Sequence, residues 1–184
     1  MSAPEKGFVL WFTGLPSSGK TTLARAVADK LRDLGIKVEL LDGDEVRKSL
    51  SPDLGFSKKD RETHAQRVAY LCKLLARNGI VSIVSLISPY KTSRQQAREH
   101  IGSGFVEIWA KCSLEACIQR DVKGLYKKAL EGKISDMTGL QDPYEDPVNN
   151  ELTVDTEHSS IEKCTIKIRQ YLAEQNYTEM PRPR

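Results

Sequence analysis

The chain is short of the residues that build metal centres and disulfide frameworks: its 184 residues include 3 histidines and 4 cysteines. The cysteines, Cys72, Cys112, Cys117 and Cys164, form no CxxC pair, and no histidine stands at a metal-ligand spacing. That scatter argues against a zinc site and reads as free thiols in a reducing cytosol. Long apolar runs are missing too. The stretch Phe8–Phe12 is too short for a signal-peptide core or a membrane span, so neither a targeting nor a membrane segment is expected. Repeats and low-complexity tracts are absent. A formal charge of only +3 gives no footprint for coating nucleic acid, though it suits an enzyme with anionic ligands. No NKxD base-recognition motif is present, which argues against a GTPase switch.

What the chain does have is an alternation of strand and helix patterns. Phe8–Thr13 is a continuous apolar run of the kind a parallel strand covered on both faces needs. Leu23, Ala24, Val27, Ala28, Leu31 and Leu34 then recur at helical spacing, with Gly35 as a stop. Further strands are expected at 36–41, 80–86, 105–110 and 152–155, and further helices at 58–78, 92–100, 114–120 and 161–172. Strands separated by helices imply an α/β fold with a parallel β-sheet of about five strands and helices on both faces. The exception is the polar stretch 121–150, whose Gly124, Gly132, Gly139, Pro143 and Pro147 suggest a mobile lid. One domain over 1–176 is expected, with 177–184 as a disordered tail.

The first strand runs into Gly14-Leu15-Pro16-Ser17-Ser18-Gly19-Lys20-Thr21-Thr22. Here Gly14, Gly19, Lys20 and Thr21 satisfy the G-x-x-x-x-G-K-[ST] pattern. Small residues let successive N–H groups curl around a phosphate, and the following helix adds its positive end. Lys20 can reach the β and γ phosphates, and the Thr21 hydroxyl can ligate Mg²⁺. By itself this predicts a nucleoside triphosphate such as ATP, with Mg²⁺, as the ligand of residues 14–22 and leaves the reaction open.

The second strand ends in Leu41-Asp42-Gly43-Asp44, with Arg47 three residues further on. In open α/β sheets the ligand crevice lies beyond the carboxyl ends of the strands, so these carboxylates face the same cleft as the phosphate loop. One can take a proton from an acceptor hydroxyl or hold the hydration shell of the metal. Arg47 can clamp an anion. Asp44 reads equally as a helix N-cap.

The blocks GLPSSGKTT (14–22), LDGDEVRKSL (41–50), DLGFSKKDR (53–61), ISPY (87–90), RDVKGLYKKALEGKI (120–134) and TGLQDPYEDP (138–147) resemble the adenylylsulfate kinase (APS kinase) family, of the P-loop class, over about 8–172. The resemblance implies transfer of the γ-phosphoryl group of MgATP to the ribose 3′-hydroxyl of adenosine 5′-phosphosulfate (APS), giving PAPS and ADP in sulfate assimilation. It implies Asp44 as the carboxylate facing that hydroxyl, with Lys20 also catalytic, and Asp42 supporting Mg²⁺ through water. Arg47, Phe56 and Arg61 match positions that hold the acceptor nucleotide, Phe56 by stacking, and Ile87 lies beside them. Ser88 matches a serine described in the family as a phosphoserine intermediate. In-line transfer needs only positioning and charge neutralisation, which leaves ligand orientation as its other role. Lys123 looks like a lid lysine over the nucleotides, the alternative for this Lys-rich stretch being a solvated face.

Two positions depart from the family. His64 stands where the DRxxN pattern has asparagine, and Met137 where an aromatic often covers the acceptor base. Histidine can still hydrogen-bond and methionine can still cover a ring. The departures motivate an alternative, a kinase of the same fold with another small nucleotide-like acceptor. A weakly catalytic nucleotide-binding partner of a sulfate-activating enzyme is a further alternative, against which the intact Lys20, Thr21, Asp44 and Arg47 argue. The resemblance also implies a cytoplasmic homodimer working alongside an ATP sulfurylase, with no nucleic-acid or membrane partner.

Overall fold

The computed structural model describes residues 7–178. β1 (Val9–Thr13) has every residue buried, because both faces of the strand are covered. Its alternation divides the core. Leu10 and Phe12 point to one side, where they meet Leu23, Val27 and Leu31 of α1 (Lys20–Asp33) and Ile168 and Leu172 of α7 (Ile161–Glu174). Val9 and Trp11 point to the other, against Val68 and Cys72 of α3 (Lys58–Arg77) and Ala97 of α4 (Lys91–Ile101). Each fully buried Leu or Val contributes about 1.5–3 kcal/mol, so α1 is anchored along its length and its first turn has a fixed position.

Between these come β2 (Val38–Asp42), α2 (Gly43–Leu50), β3 (Val81–Ser85), β4 (Phe105–Lys111), α5 (Leu114–Arg120), α6 (Leu125–Leu130) and β5 (Leu152–Asp155). The five strands form one sheet in the order β2-β3-β1-β4-β5, and every pairing is parallel. β1 therefore has β3 on one side and β4 on the other, and the chain leaves it in one direction first and in the other later. That reversal opens a crevice beyond the carboxyl ends of the central strands.

Three segments differ from the sequence reading. α2 lies at 43–50, outside the helices expected from periodicity. The stretch 121–150 is not wholly irregular. Leu125–Leu130 winds into a helix whose Tyr126 and Ala129 are buried with Cys117 and Met137, and Leu15 packs against this cluster. At the C-terminal end, the expected tail begins too early. Tyr177 packs on Phe8, with ring centroids 4.8 Å apart, and its N–H donates to the Leu172 carbonyl at 2.8 Å. Residues 179–184 of that tail lie outside the described residues.

Candidate active site

The phosphate loop bends between β1 and α1 with Gly14 at φ 151°. A Cβ there would stand 2.7 Å from the Ala110 carbonyl and 2.8 Å from Ser18 Oγ, so only glycine lets the loop lie against β4. Gly19 closes the loop in the left-handed conformation, φ 87°, and no side chain caps α1. The first N–H groups of α1 are thus free to meet an anion. Pro16, Ser17, Gly19, Lys20, Thr21 and Thr22 line a cavity of about 620 Å³. Gly14, Leu15 and Ser18 do not line it. Gly14 and Ser18 shape the loop from beneath, and Leu15 belongs to the lid cluster.

Lys20 is folded back onto its own loop, donating to the Leu15 carbonyl at 2.6 Å and to Ser18 Oγ at 3.3 Å. Burial, which penalises its charged form, lowers its pKa to about 8. Beside it the Thr21 hydroxyl donates to Asp42 Oδ2 at 3.2 Å and lies 3.0 Å from Ser85 Oγ. These are hard oxygen donors and suit Mg²⁺, which keeps several waters and takes few protein ligands. Among the described residues no group of three or more His, Cys, Asp or Glu side chains could hold a metal by itself.

The acidic turn does not use Asp44 as its helix cap. Asp42 is the N-cap of α2, its Oδ1 accepting from the Asp44 N–H at 3.1 Å. Asp44 sits in the first turn with its carboxylate paired to the Lys123 ammonium, and both line the cavity. Gly43 between them is required by a close approach. A Cβ would stand 2.7 Å from the Ser85 carbonyl and 2.9 Å from Leu86 Cδ2.

Across the cavity lies a cationic wall. Two guanidiniums lie near the Phe56 ring, that of Arg47 4.6 Å and that of Arg61 5.5 Å from its centroid. Arg47 also donates to the Gly55 carbonyl. Arg61 donates to the Phe56 carbonyl at 2.8 Å and to the Asp136 carbonyl at 2.6 Å. Asp53 and Arg67 close this loop with two hydrogen bonds at 2.6 and 2.7 Å, and the bond to Arg67 draws the Asp53 carboxyl down to about 2. His64 is buried in the same wall, its Nδ1 2.9 Å from Ser51 Oγ and its Nε2 without a protein partner. Burial, then the Arg47 and Arg67 charges, lower its pKa to about 4, so the ring is neutral at physiological pH.

Ile87 and Ser88 line the cavity, but Ser88 is held on every side. Its φ is 43°, its Oγ accepts from Trp11 Nε1 at 3.1 Å, and its carbonyl accepts from Arg94 at 2.6 Å. Met137 does not reach the cavity. It is buried among Cys117, Tyr126 and Ala129, because the lid cluster offers its thioether a drier place than the acceptor wall. Sequence reasoning missed the opposite wall, made by Arg120, Val122 and Leu125 with Thr156, Glu157 and Ser159–Ile161. Arg120, Val122 and Leu125 flank Lys123 in the 120–134 block, whereas 156–161 form no recognisable motif; the turn from β5 into α7 brings the latter to the cavity. The four cysteines are free thiols.

A parallel sheet with this strand order, a phosphate loop at β1 and a carboxylate at the end of β2 define a P-loop kinase. Likeness to shikimate kinase from Acinetobacter baumannii, at 17% identity and TM-score 0.61 over 95% of this chain and 97% of that one, reaches as far as the fold. The model of the adenylylsulphate kinase family matches residues 6–155. An adenylyl-sulfate kinase of Halothermothrix orenii is 46% identical over 96% of this chain and 95% of its own. A probable adenylyl-sulfate kinase of Aeropyrum pernix is 51% identical over 86% and 88%. The Mycobacterium tuberculosis APS kinase CysC, solved in complex with AMPPNP and APS, superposes with TM-score 0.88 at 38% identity, covering 92% of this chain and 99% of that one. The chain belongs to the adenylylsulfate kinase family.

Proposed function

We propose that this chain transfers the γ-phosphoryl group of ATP to the 3′-hydroxyl of APS, giving PAPS and ADP. The observation that carries the reading is the position of Asp44 in one cavity with the phosphate loop and the Arg47–Phe56–Arg61 wall. The loop amides and the α1 N-terminus hold the donor phosphates. Lys20 leaves the Leu15 carbonyl for the β and γ phosphates, exchanging a neutral partner for an anionic one. Mg²⁺ would be held by Thr21, with Asp42 acting through water, and when bound would neutralise phosphate charge. Phe56 stacks on the acceptor adenine while the flanking arginines balance its phosphosulfate charge. His64, neutral and with Nε2 free, offers that nucleotide one hydrogen bond. Asp44 receives the 3′-hydroxyl proton as the new P–O bond forms and the bond from the γ-phosphorus to the leaving ADP oxygen breaks. The free thiols suit a cytoplasmic setting. A homodimer supplied with APS by an ATP sulfurylase completes the reading, on the family resemblance.

A coupled assay of ADP release tests this. Turnover with MgATP and APS is expected at about 1–100 s⁻¹, the usual range for kinases. Asp44→Asn is expected to lower kcat by about 10²–10⁴-fold, the usual contribution of a general base, with ATP affinity unchanged. Absence of turnover with APS, alongside turnover with another acceptor, overturns the assignment.

A further inference from the structure

Arg94 belongs to no motif, yet it is only 2% exposed and reaches three separate segments. Nη1 donates to the Ser88 carbonyl at 2.6 Å, Nη2 donates to the Glu145 carbonyl at 2.6 Å, and Nε lies 2.8 Å from Glu107 Oε1 on β4. Its carbonyl partners are the two ends of one clamp. On one side is the cavity wall, Ile87–Ser88. On the other is the stretch where the chain returns from the lid. Glu145 donates its N–H to the Pro89 carbonyl at 2.8 Å, and its carboxylate accepts from the Lys91 N–H at 2.7 Å. Tyr144 OH lies 2.9 Å from Thr13 Oγ1. The Thr13 hydroxyl has one proton and directs it to the Ile87 carbonyl at 2.7 Å, so Tyr144 is the donor.

A buried ion pair is a poor device for stability, since desolvation offsets much of its attraction. A guanidinium, however, is a rigid planar fork that can fix two carbonyls at once, which an ammonium cannot do in the same geometry. Here the fork joins the acceptor wall to the returning end of the lid, and Glu107 orients the fork. Without it, the Ser88 carbonyl loses its short bond, and the Trp11 indole on Oγ is left to hold the residue at φ 43°, a conformation unfavourable for a residue with a side chain.

We infer that Arg94 is a positioning residue for the acceptor, one that fixes the Ile87–Ser88 wall by tying it to Tyr144–Glu145. The inference rests on the reading of this cavity as a kinase site with APS as acceptor. Arg94→Lys keeps a cation opposite Glu107 but loses the fork. It is expected to raise the KM for APS about tenfold, the scale of one lost buried hydrogen bond, while the KM for ATP stays within about twofold. Tyr144→Phe removes only the bond to Thr13 and should raise the same constant by a smaller factor. Arg98→Lys is the control. Arg98 shares Glu107 at 3.3 Å and pairs with Glu151, but it touches neither Ser88 nor Glu145. It should lower the Tm and leave both KM values unchanged.

If Arg94→Lys lowers the Tm as the control does, yet binds APS like the wild type, the role is purely structural and the inference falls. Should that variant not fold, an unchanged KM for APS in Tyr144→Phe overturns it equally. Wild-type protein with no APS turnover at all would instead sink the functional reading, so the two failures are distinct.

Discussion

Lys20 has lost most of its hydration before any ligand arrives, and its nearest partners are a carbonyl and a hydroxyl rather than a carboxylate. That is why its pKa lies near 8, and phosphates placed around it must raise it again. The sign follows directly. The bound state holds more protons than the free state at pH 8, so ATP affinity is flat at lower pH and falls as pH rises through about 8. Calorimetry in two buffers of different ionisation heat should detect an uptake of about half a proton per ATP at pH 8. No uptake there would refute the account of Lys20. At this scale the sequence was informative where residues act through local geometry. The phosphate loop, Asp42 with Asp44, and Arg47 are each read from neighbours along the chain. It said nothing of what fills the space around His64, because Ser51 and the Asp53–Arg67 pair converge there only after α2 and α3 have packed.

Among the elements, α2 shows how little slack the site has. It starts against the end of β3, and Gly43 is its first residue. Gly43→Ala would drive the helix off the Ser85 carbonyl and carry Asp42 away from Thr21. A displacement of about 1 Å can cost about a hundredfold in rate, so kcat is expected to fall by at least about tenfold. The Tm should drop as overpacking demands. Activity assays beside thermal unfolding check this, and wild-type kcat in the variant would show that the close approach is dispensable. β1 was legible because its apolar run is continuous, and the other four strands because short apolar or β-branched stretches recur between the helical patterns. α6 was not, since its six residues, Leu125–Leu130, are too few to show a helical period. Its buried face, Tyr126 and Ala129, acquires meaning only from Cys117, Met137 and Leu15, which are distant in sequence.

For the whole molecule, the proposed lid is the part expected to govern water exclusion. It is attached to the phosphate loop by the bond from Tyr126 OH to the Pro16 carbonyl at 3.1 Å and by the packing of Leu15 and Leu114 around Gly139. The return stretch is held separately, through Tyr144 and Glu145. Limited proteolysis with a protease of broad specificity should therefore cut within 121–142 rather than 143–150. Non-hydrolysable ATP with APS should slow that cleavage severalfold. Equal rates with and without ligands would rule out closure on binding.

Lys123 rests on Asp44. Both side chains are more than half exposed, so the pair adds little to stability and separates readily. On the proposed reading of Asp44 as the base, the effect of the pair is on timing. A carboxylate engaged by an ammonium is a weaker proton acceptor. An anionic nucleotide in the cleft competes for the same lysine and, in taking it, frees the carboxylate. On that reading the lysine mutes the base, and the arriving polyanion removes the mute.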